Sequence, residues 1–274
     1  MPTAVISTTY DPKYLWYLPI TTWVWNRMGF KVVCFMPYGR TDGDEYIGNF
    51  VVDTLVKGGL NGVRYYFDCP KHKEATYAQC SRLYASAVDL PEDETLVISD
   101  IDMLVLNTSY FLPVADGIVD IYGADLVPPN QYPMCYLSGK VSTWRKLIGE
   151  GTVQQHLDKE LGHIDSLSMR SDYWSKDQEL IFNMLQSNNE VDYRLHNRAT
   201  PGTQFASLRI DRDDSYWIDR YSQDVIDAHL WRPGYQEDNF NKIMQLLSMA
   251  FPQEDFNWLV EYRNSFVNLL NENV

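Results

Sequence analysis

Thr95-Leu96-Val97-Ile98-Ser99-Asp100-Ile101-Asp102-Met103-Leu104-Val105-Leu106 reads as a buried apolar strand that delivers two carboxylates and then re-enters the core. Alternation along a strand puts Asp100 and Asp102 on one face and turns Ile101 to the other. Two carboxylates at about 4 Å repel by roughly 4 kcal/mol at an effective dielectric near 20. The pair therefore asks for compensation, and a hard, oxygen-preferring divalent cation supplies it. The competing reading is a turn with solvated aspartates, because Asp-x-Asp is short and common.

Working outward, Thr3 to Ser7 reads as a first buried strand, followed by the polar Thr8-Thr9-Tyr10-Asp11-Pro12. A helix is expected from Lys13 to Met28, stopped by Gly29, and a second strand from Lys31 to Met36. This β-loop-α-β order opens a nucleotide-binding half, in which ligands lie outside the carboxyl ends of parallel strands. A strand from Val63 to Phe67, a helix from Glu74 to Val88 and a turn at Pro91-Glu92-Asp93-Glu94 lead to the acids.

Beyond them, Gly123 to Val127 and Met134 to Ser138 read as strands, the latter entering a helix over Ser142 to Ile148. Residues Gly149 to Ser171 are polar and ambiguous. A helix is expected from Tyr173 to Gln186, with Ser175 as N-cap and first-turn acids that suit the dipole. Ile226-Asp227-Ala228-His229-Leu230 and Arg232-Pro233-Gly234 precede helices over Asp238 to Ala250 and Glu254 to Leu270. No internal repeat, low-complexity segment or linker interrupts the 274 residues, so one domain is expected.

Composition narrows the function. With 45% hydrophobic and 14% aromatic residues the chain has material for a core and aromatics left over for binding surfaces. A formal net charge of −14 repels a phosphate backbone, and no Lys/Arg cluster offsets it, which disfavours nucleic acid as a partner. Cys34, Cys69, Cys80 and Cys135 form no C-x-x-C pair, so reduced thiols are expected rather than a zinc ribbon or a disulfide framework. There is no 18-residue apolar stretch and no signal-like N-terminus, so no membrane span and a cytoplasmic location are expected. His72, His156, His163 and His196 lie in polar text and read as surface groups.

The β-α-β start, Arg82 in the helix before the acids, Asp100-Ile101-Asp102, Trp174-Ser175-Lys176-Asp177-Gln178, and the late His229 with Arg232-Pro233-Gly234 occur in an order that resembles the GT-A class of nucleotide-sugar glycosyltransferases. The texture is similar to the small soluble glycosyltransferases of large algal viruses, and the resemblance spans roughly residues 1 to 235. It implies an α/β fold in which a Rossmann-like nucleotide-binding half, residues 1–107, and an acceptor-binding half, residues 108–235, share one mixed central sheet, with C-terminal helices over residues 236–274. It further implies metal-dependent transfer of a sugar, xylose or a hexose, from a nucleoside diphosphate, uridine diphosphate above all, to a glycan or glycoprotein hydroxyl in the host cytoplasm.

Under that resemblance Asp102 and His229 hold Mn²⁺ or Mg²⁺ directly, and Asp100 reaches it through water or holds the donor ribose. Thr8 and Tyr10 take the ribose and base, Tyr10 stacking on uracil. Ser138 and Gly139 lie on a small-residue strand under the donor sugar, and Arg82 and Arg232 bind phosphate. Trp174 stacks on the acceptor. Asp177 takes the acceptor proton if the enzyme inverts configuration, with Glu179 competing for that role; under retention, Asp177 and Gln178 would position the donor sugar instead. The plain reading of Arg82 is a surface residue of an amphipathic helix. Three other functions compete. A haloacid-dehalogenase-like phosphatase is disfavoured by Leu104 after the acids. A sugar-nucleotide nucleotidyltransferase lacks its glycine-rich basic loop between Ser7 and Lys13. A non-catalytic carbohydrate-binding protein would account for the aromatic surplus.

Overall fold

Alternate positions along the strands sort into two apolar layers, and this sorting defines the architecture. The computed structural model describes residues 1–39, 41–111, 113–163, 173–198 and 208–272. In chain order the elements are β1 (Thr3–Ser7), α1 (Pro12–Leu15), α2 (Leu18–Arg27), β2 (Lys31–Pro37), α3 (Asp42–Lys57), β3 (Gly62–Phe67), α4 (Glu74–Ser81), a 3-10 turn (Arg82–Ala87), β4 (Thr95–Ser99) and β5 (Met103–Val105). There follow β6 (Ile118–Tyr122), β7 (Tyr136–Lys140), α5 (Val141–Ile148), α6 (Val153–Leu161), α7 (Lys176–Ser187), β8 (Asp192–His196), β9 (Arg209–Ile210), α8 (Trp217–Arg220), β10 (Asp227–His229), α9 (Glu237–Ala250) and α10 (Asn257–Glu272).

Seven strands form one mixed sheet in the order β3-β2-β1-β4-β7-β6-β8. The first four run parallel, and β7 runs antiparallel to both β4 and β6. Ala4 and Ile6 of β1, Val32 and Cys34 of β2 and Val97 of β4 face a layer built by α2, α3, α9 and α10, with Ile243, Leu247, Tyr262 and Phe266 among its members. Val5, Val33, Phe35, Leu96 and Ile98 face the opposite layer, which holds Tyr77, Leu157 and Ile181. Strands covered on both faces need uninterrupted apolar runs, which is what β1, β2 and β4 carry. The mixed α/β class follows, with the strand order reversing about β1 and β4, so a crevice opens beyond their carboxyl ends.

Several local expectations change. The helix expected over Lys13 to Met28 is two helices, because Pro19 lacks an N–H and its ring disfavours a continuous turn with Leu15, so it opens α2 instead. The helix expected to Val88 stops at Ser81 and continues as a 3-10 turn with Tyr84 off helical geometry. Gly123 adopts φ +79° and starts a short 3-10 turn over Ala124–Leu126, so the strand lies earlier, at Ile118–Tyr122. The next strand begins at Tyr136 rather than Met134. Ser175 precedes α7 but makes no side-chain cap bond to it. His156 is buried and stacked on Tyr84, and His196 stacks on Tyr122 and bonds Asp120, so neither is a free surface group.

The acid pair shows the largest departure. Strand β4 ends at Ser99, Asp100 to Asp102 form the link, and β5 belongs to a second, three-stranded sheet ordered β5-β10-β9. The two aspartates therefore sit where the chain passes from one sheet to the other, and they do not share a strand face. None of Cys34, Cys69, Cys80 and Cys135 forms a disulfide among the described residues. Among the described residues no helix is long and apolar enough to cross a membrane.

Candidate active site

A cavity of about 380 Å³ lies beyond the carboxyl ends of β1 and β4, walled by Thr8, Asp100, Asp102, Asp177, His229 and Arg232. Strand β10 runs antiparallel to β5 with His229 opposite Met103, and Leu230 donates its N–H to the carbonyl of Asp102 at 2.9 Å. That pairing brings residue 229 to residue 102. The Pro233-Gly234 bend can follow at once because a Cβ on Gly234 would stand 2.6 Å from both Trp16 and the Tyr17 hydroxyl.

One oxygen of Asp102 is the focus. Its Oδ2 lies 3.3 Å from His229 Nε2, 3.3 Å from Arg212 Nη1 and 3.2 Å from Arg232 Nε. Arg232 also donates to the Tyr14 hydroxyl and sits over that ring at 4.9 Å. His229 Nδ1 faces Asp211 Oδ2 at 3.6 Å. Burial alone would raise the Asp102 carboxyl, but the His229 hydrogen bond and charge, with the two arginines, hold it below the usual range. Burial likewise opposes a charged His229, yet its bonds to Asp102 and Asp211 push it up to about 9. The result is a cationic ledge in a chain of net charge −14, suited to phosphate oxygens.

Asp100 goes elsewhere. Arg82, 2% exposed, donates to Asp100, to the Ser99 carbonyl at 2.9 Å and to Asp177 Oδ2 at 2.9 Å. This is neither a surface residue nor a guanidinium free to clamp a phosphate. Asp177 Oδ1 accepts from the Gln178 N–H at 2.9 Å. Burial raises the Asp177 carboxyl, Arg82 opposes that, Asp100 adds to it, and the balance stands at about 6.

The expected trio for a divalent cation does not assemble, since Asp100 is turned onto Arg82, and among the described residues no cluster of three ligating side chains stands ready. A pair does fit. Asp102 Oδ2 and His229 Nε2 stand 3.3 Å apart, near the roughly 3 Å between neighbouring ligands that are each about 2.1 Å from one cation.

The other candidates divide. Thr8, Trp174 and Gln178 line the cavity, and Trp174 is exposed. Tyr10 lies in an adjoining recess with Tyr38 and Asp44, which shares Thr9 and Asp11 with the main cavity. Ser138 and Gly139 do not reach it. Strand β7 leaves the crevice at Tyr136, opposite Ser99, so Ser138 and Gly139 pair with Val97 and Leu96 deep in the sheet. There Ser138 meets the Tyr122 hydroxyl at 3.0 Å, and Gly139 makes room for the Trp144 ring. Glu179 is absent from the cavity wall. Arg212, Asp211 and Tyr14 are additions that no motif announces; Asp211 and Arg212 follow β9, and β9 pairs with β10.

No known family profile and no curated protein matches the chain. Among solved structures it is similar to galactosyltransferase LgtC in complex with donor and acceptor sugar analogs, at 14% identity over 93% of this chain and 98% of that one, with a TM-score of 0.49. An active-site mutant of LgtC aligns at 12% identity over 98% and 95% of the two chains, TM-score 0.48. The glycosyltransferase GlyE of Streptococcus pneumoniae TIGR4 aligns at 13% identity over 82% of this chain and 62% of that one, TM-score 0.37.

Proposed function

We propose that this chain is a GT-A-type glycosyltransferase that moves xylose or a hexose from a uridine diphosphate donor to a glycan hydroxyl. The observation that carries the reading is the convergence of His229, Arg212 and Arg232 within 3.3 Å of one Asp102 oxygen at the crevice. Departure of a diphosphate builds negative charge, and fixed cationic donors aimed at that place stabilise it. Asp102 and a deprotonated His229 would instead hold Mn²⁺ or Mg²⁺, which would supply Lewis-acid neutralisation of the same charge in place of the imidazolium.

The chain's own groups account for the rest. Arg212 and Arg232 hold phosphate oxygens, Thr8 and the Tyr10 recess take ribose and base, and Trp174 offers a ring to the acceptor sugar. For an inverting course, Asp177 takes the acceptor proton as the hydroxyl oxygen bonds the anomeric carbon and the diphosphate leaves with the electron pair. A carboxyl at about 6 is ionised at neutral pH and basic enough for that work. Retention is the second reading, favoured by one observation: both Asp177 oxygens are already engaged, by Arg82 and by the Gln178 N–H. That is the arrangement of a group that positions Gln178.

A panel of sugar nucleotides with and without Mn²⁺, followed by thermal shift and by release of nucleoside diphosphate, tests the assignment. A uridine diphosphate sugar should raise the melting temperature, because it binds the folded form, and should be turned over. Binding without release would make the chain a carbohydrate-binding protein, and turnover unchanged by EDTA would leave the arginine ledge acting without a metal. In Asp177→Asn, donor affinity should stay and transfer should fall by about 10²–10⁴-fold. Unchanged transfer removes it as base, and the anomeric configuration of the product separates the two courses.

A further inference from the structure

The crevice has two unlike walls. The chain between β6 and β7, residues 123–135, gives the cavity of about 380 Å³ Leu126, Val127, Pro133, Met134 and Cys135 and none of its charged side chains. The amides of this loop stay out of it: Asn130 is not in the wall, and Gln131 instead donates to Ser175 at 3.3 Å. Every charged group in the described wall comes from other elements, the Asp102 ledge and the Arg82–Asp177 pair included. Ala75, exposed, and Trp174, 57% exposed, extend the apolar lining.

That loop is pinned. Gly123, left-handed at φ +79°, donates its N–H to the His196 carbonyl at 2.6 Å, and Leu126 closes the 3-10 turn onto the Gly123 carbonyl at 2.9 Å. Asp125 accepts from the Arg198 N–H at 2.8 Å. A Cβ at position 123 would stand 2.7 Å from Leu126 Cδ1, so the leucine packs over the glycine and is still 46% exposed. A single exposed leucine is ordinary. One that shares a cavity wall with an exposed tryptophan and a half-buried valine forms a patch fit for a ligand. Further along the loop, the Tyr132 N–H donates to the Gln178 carbonyl at 3.2 Å, which ties this apolar wall to the residue beside Asp177.

We propose, resting on the sugar-transfer reading, that the acceptor is a glycoside with an apolar aglycone, which lies against Leu126 and Val127 while the sugar hydroxyl stands at Asp177. A fully hydroxylated glycan laid on this loop would exchange water for Leu126, Val127 and Pro133, whose side chains neither donate nor accept, and its hydroxyls would go unpaired. An aryl or alkyl group gains there by leaving water. Polarity divides the crevice between a charged leaving group at the Asp102 ledge and an uncharged acceptor tail at the loop.

Matched methyl, phenyl and hexyl β-glycosides of glucose, galactose and xylose, titrated into the full chain with uridine diphosphate present, test this through the methyl resonances of Leu126 and Val127. For at least one sugar the phenyl or hexyl form should bind roughly tenfold or more tightly than the methyl form and should move the Leu126 signal. Phenyl acting alone assigns an aromatic aglycone, and hexyl acting alone an aliphatic one. In Leu126→Gln, a change at a half-exposed side chain, the preference should fall by roughly threefold or more. Equal affinity for the methyl and the aglycone-bearing forms overturns the proposal, as does a Leu126 signal that no probe moves, and neither readout needs a variant to fold. So does a preference that Leu126→Gln and Val127→Thr both leave intact. Release of nucleoside diphosphate from a uridine diphosphate sugar without acceptor checks the transfer reading separately. No release removes that reading and this acceptor with it, whereas release without an aglycone preference removes this acceptor alone.

Discussion

Strand β10 carries one end of two clusters that look alike on paper and differ in construction. Asp227, fully buried, is gripped on both oxygens: Arg198 reaches them at 2.8 and 2.9 Å, and Arg209 at 3.2 and 3.0 Å. Two residues on, His229 joins Arg212 and Arg232 on a single oxygen of Asp102, each at 3.2–3.3 Å, at the wall of an open cavity. The first cluster is saturated, each guanidinium meeting both carboxylate oxygens as a bidentate pair. In the second, the ion pairs among the described residues converge on one Asp102 oxygen alone. A cluster that satisfies itself holds the floor in place, and one that is left incomplete waits for a ligand.

Breaking the floor should produce the largest effect. Asp227→Ala leaves two buried or half-buried guanidinium groups without a counter-charge, and loss of one member of a buried pair costs about 3–5 kcal/mol, read from the urea midpoint. A shift under about 1 kcal/mol would mean that Arg198 and Arg209 find other partners and that the contrast is wrong. At the ledge the currencies swap. Asp102→Ala should change stability by no more than about 1 kcal/mol, because its partners are part-exposed. It should still lower kcat/KM for a sugar nucleotide by about 10²–10³-fold, with metal-dependent donor binding lost. Retained affinity and turnover would count against the functional reading while leaving the structural contrast intact.

The same contrast explains what could be read from residues alone. Strands β1, β2 and β4 are unbroken apolar runs because both of their faces are covered, so the sheet centre and the crevice location follow from pattern. Strand β8, Asp192–His196, is an exposed edge with no such run, and β9 has two residues, Arg209–Ile210. Neither leaves a periodic signal. Helix α3 hides behind Asp42-Gly43-Asp44 and Gly48, residues that suggest turns, although the Thr41–Asp44 capping box marks its start. At the site, Asp102, His229 and Arg232 are visible through their order. Arg212 and Asp211 are not, since they arrive through the parallel pairing of β9 with β10, a long-range contact with no local spacing. Ser138 and Gly139 mislead because the direction of β7 decides which of its ends faces the crevice, and composition carries no direction.

Acid provides a smaller and cleaner way to sharpen the comparison. Burial pushes the Asp227 carboxyl up, but Arg209 and Arg198 outweigh burial and bring it down to about 2, against about 3.9 in an unfolded chain. A group whose folded value is depressed contributes stability that is complete above the unfolded value and is lost as pH falls through the folded one. That contribution is roughly 2–3 kcal/mol, and it should fade between about pH 4 and pH 2. Urea midpoints across that interval should fall in the wild type, and the Asp227 carboxyl carbon, followed by NMR, should remain ionised to about pH 2. In Asp227→Asn the charge is gone at every pH, so the protein should be weaker throughout and its stability should fall less steeply over the same interval. Equal slopes in the two proteins, or an Asp227 signal that titrates near 4, would show that the two arginines do not hold the floor carboxylate as their geometry indicates.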